Sequence, residues 1–134
     1  LFMTGMRIGE AAALQWSDID FETGLSNINK TLYYKSMDEY KFVDPKTQVS
    51  VRTIYIDADT IRELKAWREV QQKVLKGCGF ILSYSGIPTS KHTLPRALEK
   101  LAGLAGVHRI KIHSLRHSHA SLLISMGENP LLIK

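Results

Sequence analysis

The sequence predicts an α+β fold, mostly helical with a small antiparallel β-sheet or hairpin. Residues 59–76 and 90–105 carry apolar side chains every three to four positions, the period of a half-buried helix. Residues 25–56 are instead rich in β-branched and aromatic residues, with an alternating stretch at their end. Glycines follow the helical segments, at Gly77, Gly106 and Gly127, where a left-handed residue closes a helix.

In chain order, Leu1-Phe2-Met3 ahead of Thr4-Gly5 reads as the last turn of a helix. Arg7 to Gln15 predicts a short helix, with Ile8, Ala11, Ala12 and Leu14 apolar, Thr4 as its cap and Glu10 near its positive end. Trp16 to Asp20 is a polar turn with two apolar anchors, and Phe21 to Gly24 is a second turn. Two or three antiparallel strands follow. Ile28 to Tyr34 is one; Val51 to Ile56 is another, with Val51, Thr53 and Tyr55 on one side and Arg52, Ile54 and Ile56 on the other. Pro45, in the polar stretch Asp44 to Gln48, places a hairpin tip or sheet edge between them.

Asp59 or Thr60 is the expected cap of a long helix to about Lys76, with Ile61, Leu64, Trp67, Val70 and Val74 as one apolar stripe. Phe80-Ile81-Leu82 reads as a short buried segment and Ser85-Gly86 as a turn. Ser90 is the expected cap of a helix through Ala105, with Pro95 in its first turn and Leu94, Leu98, Leu101 and Leu104 facing inward. Ile110 to Ile112 reads as short and extended, and residues 113–126 as the last full helix. Pro130 to Lys134 resembles a helix start capped by Asn129. Both ends therefore read as cut, and the chain as a fragment of a longer protein.

A length of 134 residues fits one domain or part of one. Area scaling gives a folded surface near ~7,000 Å² against ~22,000 Å² unfolded, enough burial for a core without staples. With 44% hydrophobic and 23% charged residues, bulk disorder is excluded, and 9 Gly with 4 Pro exclude collagen-like sequence. One cysteine, Cys78, builds neither a disulfide framework nor a cysteine-based zinc site. No apolar run approaches a membrane span, no signal peptide is visible, and a reducing intracellular compartment is expected. The net charge of +5 suits a polyanionic partner such as nucleic acid, or is ordinary solubility charge.

The sharpest local pattern is His113-Ser114-Leu115-Arg116-His117. On a helix, positions 113, 116 and 117 share a face, so His113 and Arg116 can address one anion. An arginine fork pairs with a phosphate in two places, and a histidine adds a donor. Other readings stay open from spacing alone: a zinc pair at His113 and His117 with His108 or His119, a solvated face, or a helix-turn-helix over residues 90–126.

Three segments together carry a family likeness. Thr4 to Leu14 with Trp16 to Asp20 resembles the first box of tyrosine recombinases, the phage, transposon and Xer-type integrases. His113 to Leu123 resembles the start of their second box. Asp44-Pro45-Lys46-Thr47 followed by Val51-Arg52-Thr53-Ile54 resembles the β-hairpin that carries their catalytic lysine. The resemblance implies a partial catalytic domain over residues 1–134. Its parent enzyme would perform site-specific recombination of double-stranded DNA through a 3′-phosphotyrosyl link, without metal or other cofactor.

By the same resemblance Arg7 and Arg116 clamp the scissile phosphate, and His113 is a phosphate donor or proton shuttle. Lys46 is the acid for the leaving 5′-oxygen, Glu10 orients the Arg7 region, and His117 is structural. None of Tyr33, Tyr34, Tyr40, Tyr55 and Tyr84 occupies the place of the nucleophile. The resemblance also implies a bacterial or phage-encoded cytoplasmic enzyme that is tetrameric on DNA, the fragment alone being monomeric and inactive. Lys91, His92, Arg96 and Lys100 form a candidate DNA-facing stripe, and a solvated face is the other reading. A non-catalytic DNA-binding module and a type IB topoisomerase-like nicking enzyme are the alternative functions.

Overall fold

The computed structural model describes residues 1–35, 39–43, 51–90, 92–130 and 133. Helix α1 (Ile8–Ala13) is followed by a 3₁₀ turn at Trp16–Asp18. Strands β1 (Leu25–Ile28), β2 (Thr31–Tyr34), β3 (Tyr40–Val43) and β4 (Arg52–Tyr55) come next. Helices α2 (Ala58–Val74), α3 (Thr93–Ala105) and α4 (Ile112–Ser125) complete the described chain. The α+β expectation holds, but the β region differs from the two or three strands expected. Among the described residues, four strands form two separate antiparallel pairs, β1 with β4 and β2 with β3. The expected strand from Ile28 to Tyr34 is broken at Lys30, whose ammonium donates to the Asp18 carboxylate at 2.7 Å. The expected hairpin tip at 44–48 lies outside the described residues.

The register Leu25↔Tyr55 to Ile28↔Arg52 fixes which side chains face in. Ser26, Ile28 and Ile56 are buried, Arg52 and Ile54 half-buried, and Thr53 and Tyr55 exposed, the alternation read from the sequence. Met6, Leu14, Trp16, Ile19, Ile28, Ile56, Ile61 and Ile81 form the main core. A smaller cluster of Ala12, Ala13 and Leu32 seats α1 on β2. Gly9 permits this approach, because a Cβ there would lie 2.5 Å from the Thr31 hydroxyl.

Several element details depart from expectation. Helix α1 is shorter than Arg7 to Gln15 and is capped at Arg7, not Thr4. Gly5, at φ +61°, turns the chain first. The helix ends at Ala13 because Leu14 leaves it extended and accepts a hydrogen bond from the Ile81 N–H at 3.1 Å. Helix α2 begins earlier than expected. Asp57 caps it, its carboxylate accepting from the Thr60 N–H at 2.9 Å and hydroxyl at 2.7 Å.

Val70 and Val74 are exposed, and Gln71 takes the inner position. Its amide accepts from the Trp16 indole at 2.9 Å and donates to the Phe80, Ile81 and Ser83 carbonyls. A buried glutamine is tolerated because both ends of its amide are satisfied. In α3, Leu94 and Leu98 are half-buried and Ala102 is buried, so the inward row runs 94, 98, 102; Leu101 and Leu104 are exposed. Residues 110 and 111 have no regular structure, and Ile112 already begins α4, so the short extended segment is absent.

The accessible surface is 9169 Å², well above the ~7,000 Å² that area scaling gives for this size. Leu101, Leu104, Val107, Leu122 and Met126 account for part of the excess, since α3 and α4 leave apolar faces open. Among the described residues no helix is long and apolar enough to cross a membrane.

Candidate active site

The start of α1 supplies the first half of the site. Arg7 is extended (ψ 151°), so its backbone N–H has no helical partner and donates to Glu10 Oε2 at 2.8 Å. Arg7 Nη1 also donates to Glu10 Oε1, at 3.0 Å, while the Arg7 side chain stays 52% exposed. Glu10 itself is buried. Its second cation is Arg52 from β4, with Nη1 on Oε1 at 3.1 Å and Nη2 on Oε2 at 2.9 Å, a two-point fork.

Burial alone would raise the Glu10 pKa. The Arg52 hydrogen bonds, the Arg7 N–H and the Arg7 side chain outweigh burial and hold the carboxyl below its usual range. Glu10 therefore contributes stability in full above the ordinary glutamate pKa, and that contribution is lost as the pH falls through its depressed value.

Helix α4 supplies the second half. The Arg116 guanidinium donates through Nη1 to the Gly5 carbonyl, joining residues 111 apart in sequence. Gly5 is suited to this place twice over. It holds φ +61°, and a Cβ would sit 2.6 Å from Cδ2 of His119. Burial, then the nearby positive charges of Arg7 and Arg52, lower the Arg116 pKa, opposed by Glu10. Arg116 remains a cation at any ordinary pH.

Thr4, Gly5, Arg52, Arg116, His117 and His119 line an open cleft of about 420 Å³. Arg116 and the Glu10-bound Arg52 are its arginines, and Glu128 is an acid on the same lining. Preorganised guanidinium donors in a cleft of this kind stabilise charge developing on phosphate oxygens.

Of the residues expected in the site, the structure brings Arg7, Glu10 and Arg116 near one another; Arg116 lines the cleft, while Arg7 and Glu10 lie outside its lining. His113 is exposed and does not line the cleft; its ring lies edge-on to that of His117 at 4.7 Å. His117, expected to be structural, lines the cleft wall. Lys46 and Lys91 fall outside the described residues. His92, Arg96 and Lys100 are exposed, four apart along α3, and so share one face. Among the described residues no group of three His, Cys, Asp or Glu side chains is arranged to hold a metal ion. Arg52 was not named from sequence as a site residue. The signal for it was present: it alternates in phase with Ile54 and Ile56, and a charge on that inner face requires a partner.

The model of the Phage integrase family matches residues 1–134. The chain belongs to the phage integrase family. Within it, the chain is 31% identical to the ICEBs1 integrase of Bacillus subtilis (strain 168) over 140 aligned residues, covering 99% of this chain and 38% of that protein. It is 30% identical to a XerC-like tyrosine recombinase of Caldanaerobacter subterraneus subsp. tengcongensis, covering 94% and 37%. The chain thus spans under two-fifths of the length of these integrase relatives.

The fold is that of the Tn1549 transposon integrase solved in complex with transposon right end DNA, at TM-score 0.85 and 22% identity, covering 99% of this chain and 46% of that one. XerH recombinase bound to its difH substrate is similar at TM-score 0.68 and 26% identity, covering 98% and 35%.

Proposed function

We propose that this chain is the phosphate-activating part of the catalytic domain of a site-specific tyrosine recombinase that cuts and rejoins double-stranded DNA. One observation carries the reading: Arg116 donates to the Gly5 carbonyl across 111 residues, two positions before Arg7, in an open cleft that Arg52 also lines. Arg7 and Arg116 hold the non-bridging oxygens of the scissile phosphate. His113, exposed at the start of α4, donates to the phosphate or relays a proton once DNA covers it. Lys46 protonates the leaving 5′-oxygen.

The attacking tyrosine belongs to a part of the protein that these residues do not include. The cleft wall carries no tyrosine among the described residues, and the Tyr34 hydroxyl donates to the Pro88 and Thr89 carbonyls at 2.5 and 2.7 Å. The attack forms a bond from tyrosine oxygen to phosphorus as the hydroxyl proton leaves by way of His113, and it breaks the bond to the 5′-oxygen, which takes a proton from Lys46. The reverse reaction rejoins the strand, because the phosphotyrosyl link conserves the energy of the broken bond. The whole enzyme works in the cytoplasm of a bacterium as a tetramer on DNA, and the 134-residue chain alone is a monomer.

The test is duplex binding by the 134-residue chain across a salt series. With His92, Arg96 and Lys100 exposed and a net charge of +5, the chain binds duplex DNA by its phosphates. Engaging about four of them makes affinity fall about 10²-fold between ~50 and ~200 mM salt. Binding that ignores salt, or no binding at low salt, contradicts the reading.

A further inference from the structure

Arg52 has no role in the mechanism above, yet it shares the cleft wall with Arg116. Strand β4 aims it inward beside Ile54, and its side chain is 22% exposed against 52% for Arg7. Both of its terminal nitrogens are spent on Glu10. Glu10 therefore stands between two arginines held in different ways. Arg52 closes a two-point fork from the inner side, and Arg7 touches the acid with its backbone N–H and only one guanidinium nitrogen. A buried carboxylate left with a single cation draws in the whole fork of that cation, because the two-point pair is the strongest available.

We propose that Arg52 is a positioning residue of the recombination site: by occupying both Glu10 oxygens from the inner side, it keeps Glu10 from capturing the whole Arg7 guanidinium and leaves the rest of the Arg7 fork free for a phosphodiester oxygen opposite Arg116. The proposal rests on the reading of Arg7 and Arg116 as the phosphate clamp. Without Arg52, Arg7 closes on Glu10 and the clamp loses a donor. If Glu10 is made neutral as well, Arg7 is released. A lysine at position 52 keeps the charge but offers one point in place of a fork.

The experiment compares the full-length recombinase carrying Arg52→Met, Arg52→Lys, or Arg52→Met with Glu10→Gln against the unsubstituted enzyme. Single-turnover formation of the covalent DNA adduct is measured at saturating DNA, with duplex affinity and folded fraction measured alongside. Arg52→Met slows adduct formation about 100-fold per folded molecule. Duplex affinity changes by less than about threefold, since the loss is felt in the transition state. The double variant regains at least about tenfold over Arg52→Met, and Arg52→Lys falls between the single variant and the unsubstituted enzyme.

A rate per folded molecule that Arg52→Met leaves unchanged overturns the role, as does a double variant no faster than the single one. If Arg52→Met does not fold, an Arg52→Lys enzyme as fast as the unsubstituted one overturns it. An unsubstituted enzyme that forms no adduct overturns the reading of the site itself, an outcome independent of Arg52.

Discussion

Replacing Arg116 with alanine lowers the single-turnover rate of DNA cleavage by the full-length recombinase about 10³-fold, the upper range for deleting one preorganised donor to a developing oxyanion. The structure accounts for a large effect. Arg116 is half-buried, anchored on the Gly5 carbonyl, and set among charges that include Arg7 and Arg52. The phosphodiester gains negative charge as it becomes pentacoordinate, and a fixed guanidinium meets that charge without reorganising. Arg116→Lys keeps the charge but loses the fork, and recovers only part of the rate. Rapid-quench measurement of the covalent adduct at saturating DNA checks this. A loss confined to affinity, with the saturated rate unchanged, contradicts a transition-state role for Arg116.

Lys46→Ala is expected to slow cleavage by about 10²–10⁴-fold, the worth of general acid catalysis. In sequence Lys46 stands six positions before Arg52, the residue that β4 holds on Glu10. A DNA substrate with a bridging 5′-sulfur at the scissile bond restores most of the Lys46→Ala rate, because a thiolate departs without a proton. The same substrate does not rescue Arg116→Ala, whose deficit concerns the non-bridging oxygens. Sulfur that rescues neither variant, or both alike, contradicts the assignment of Lys46 as the acid.

Much of the fold was legible because apolar period and glycine position act locally. The ends of α2, α3 and α4 follow Gly77, Gly106 and Gly127, all at positive φ, and the inward row of β4 follows its alternation. What the sequence concealed depends on tertiary partners. Gln71 displaces Val70 and Val74 from the core because Trp16 and three carbonyls satisfy its amide, and no local pattern announces those partners. Thr4 is a better cap by residue type than Arg7, but the left-handed Gly5 moves the helix start beyond its reach. At the break the chain passes from the β1–β4 pair to the β2–β3 pair, and Lys30 there pairs with Asp18, twelve residues away.

The site divides in the same way. Arg7 and Arg116 were named from their motifs, and the Gly5 carbonyl joins their segments. Arg52 was passed over because an arginine in a half-buried strand becomes informative only once Glu10 is known to face it. His113 was expected beside Arg116 on one helix face. The helix is there and places them one turn apart; His113 is exposed, edge-on to His117, and is not among the residues that line the cleft.

The central claim is that these residues activate a phosphodiester for attack by a tyrosine carried elsewhere in the protein. Its most direct test is to trap the full-length recombinase on a nicked suicide duplex and map the covalent protein–DNA adduct by mass spectrometry. The predicted result is a 3′-phosphotyrosyl link to a tyrosine outside residues 1–134, with no adduct from the 134-residue chain alone. An adduct on Tyr33, Tyr34, Tyr40, Tyr55 or Tyr84, or none from the full-length protein, would contradict it.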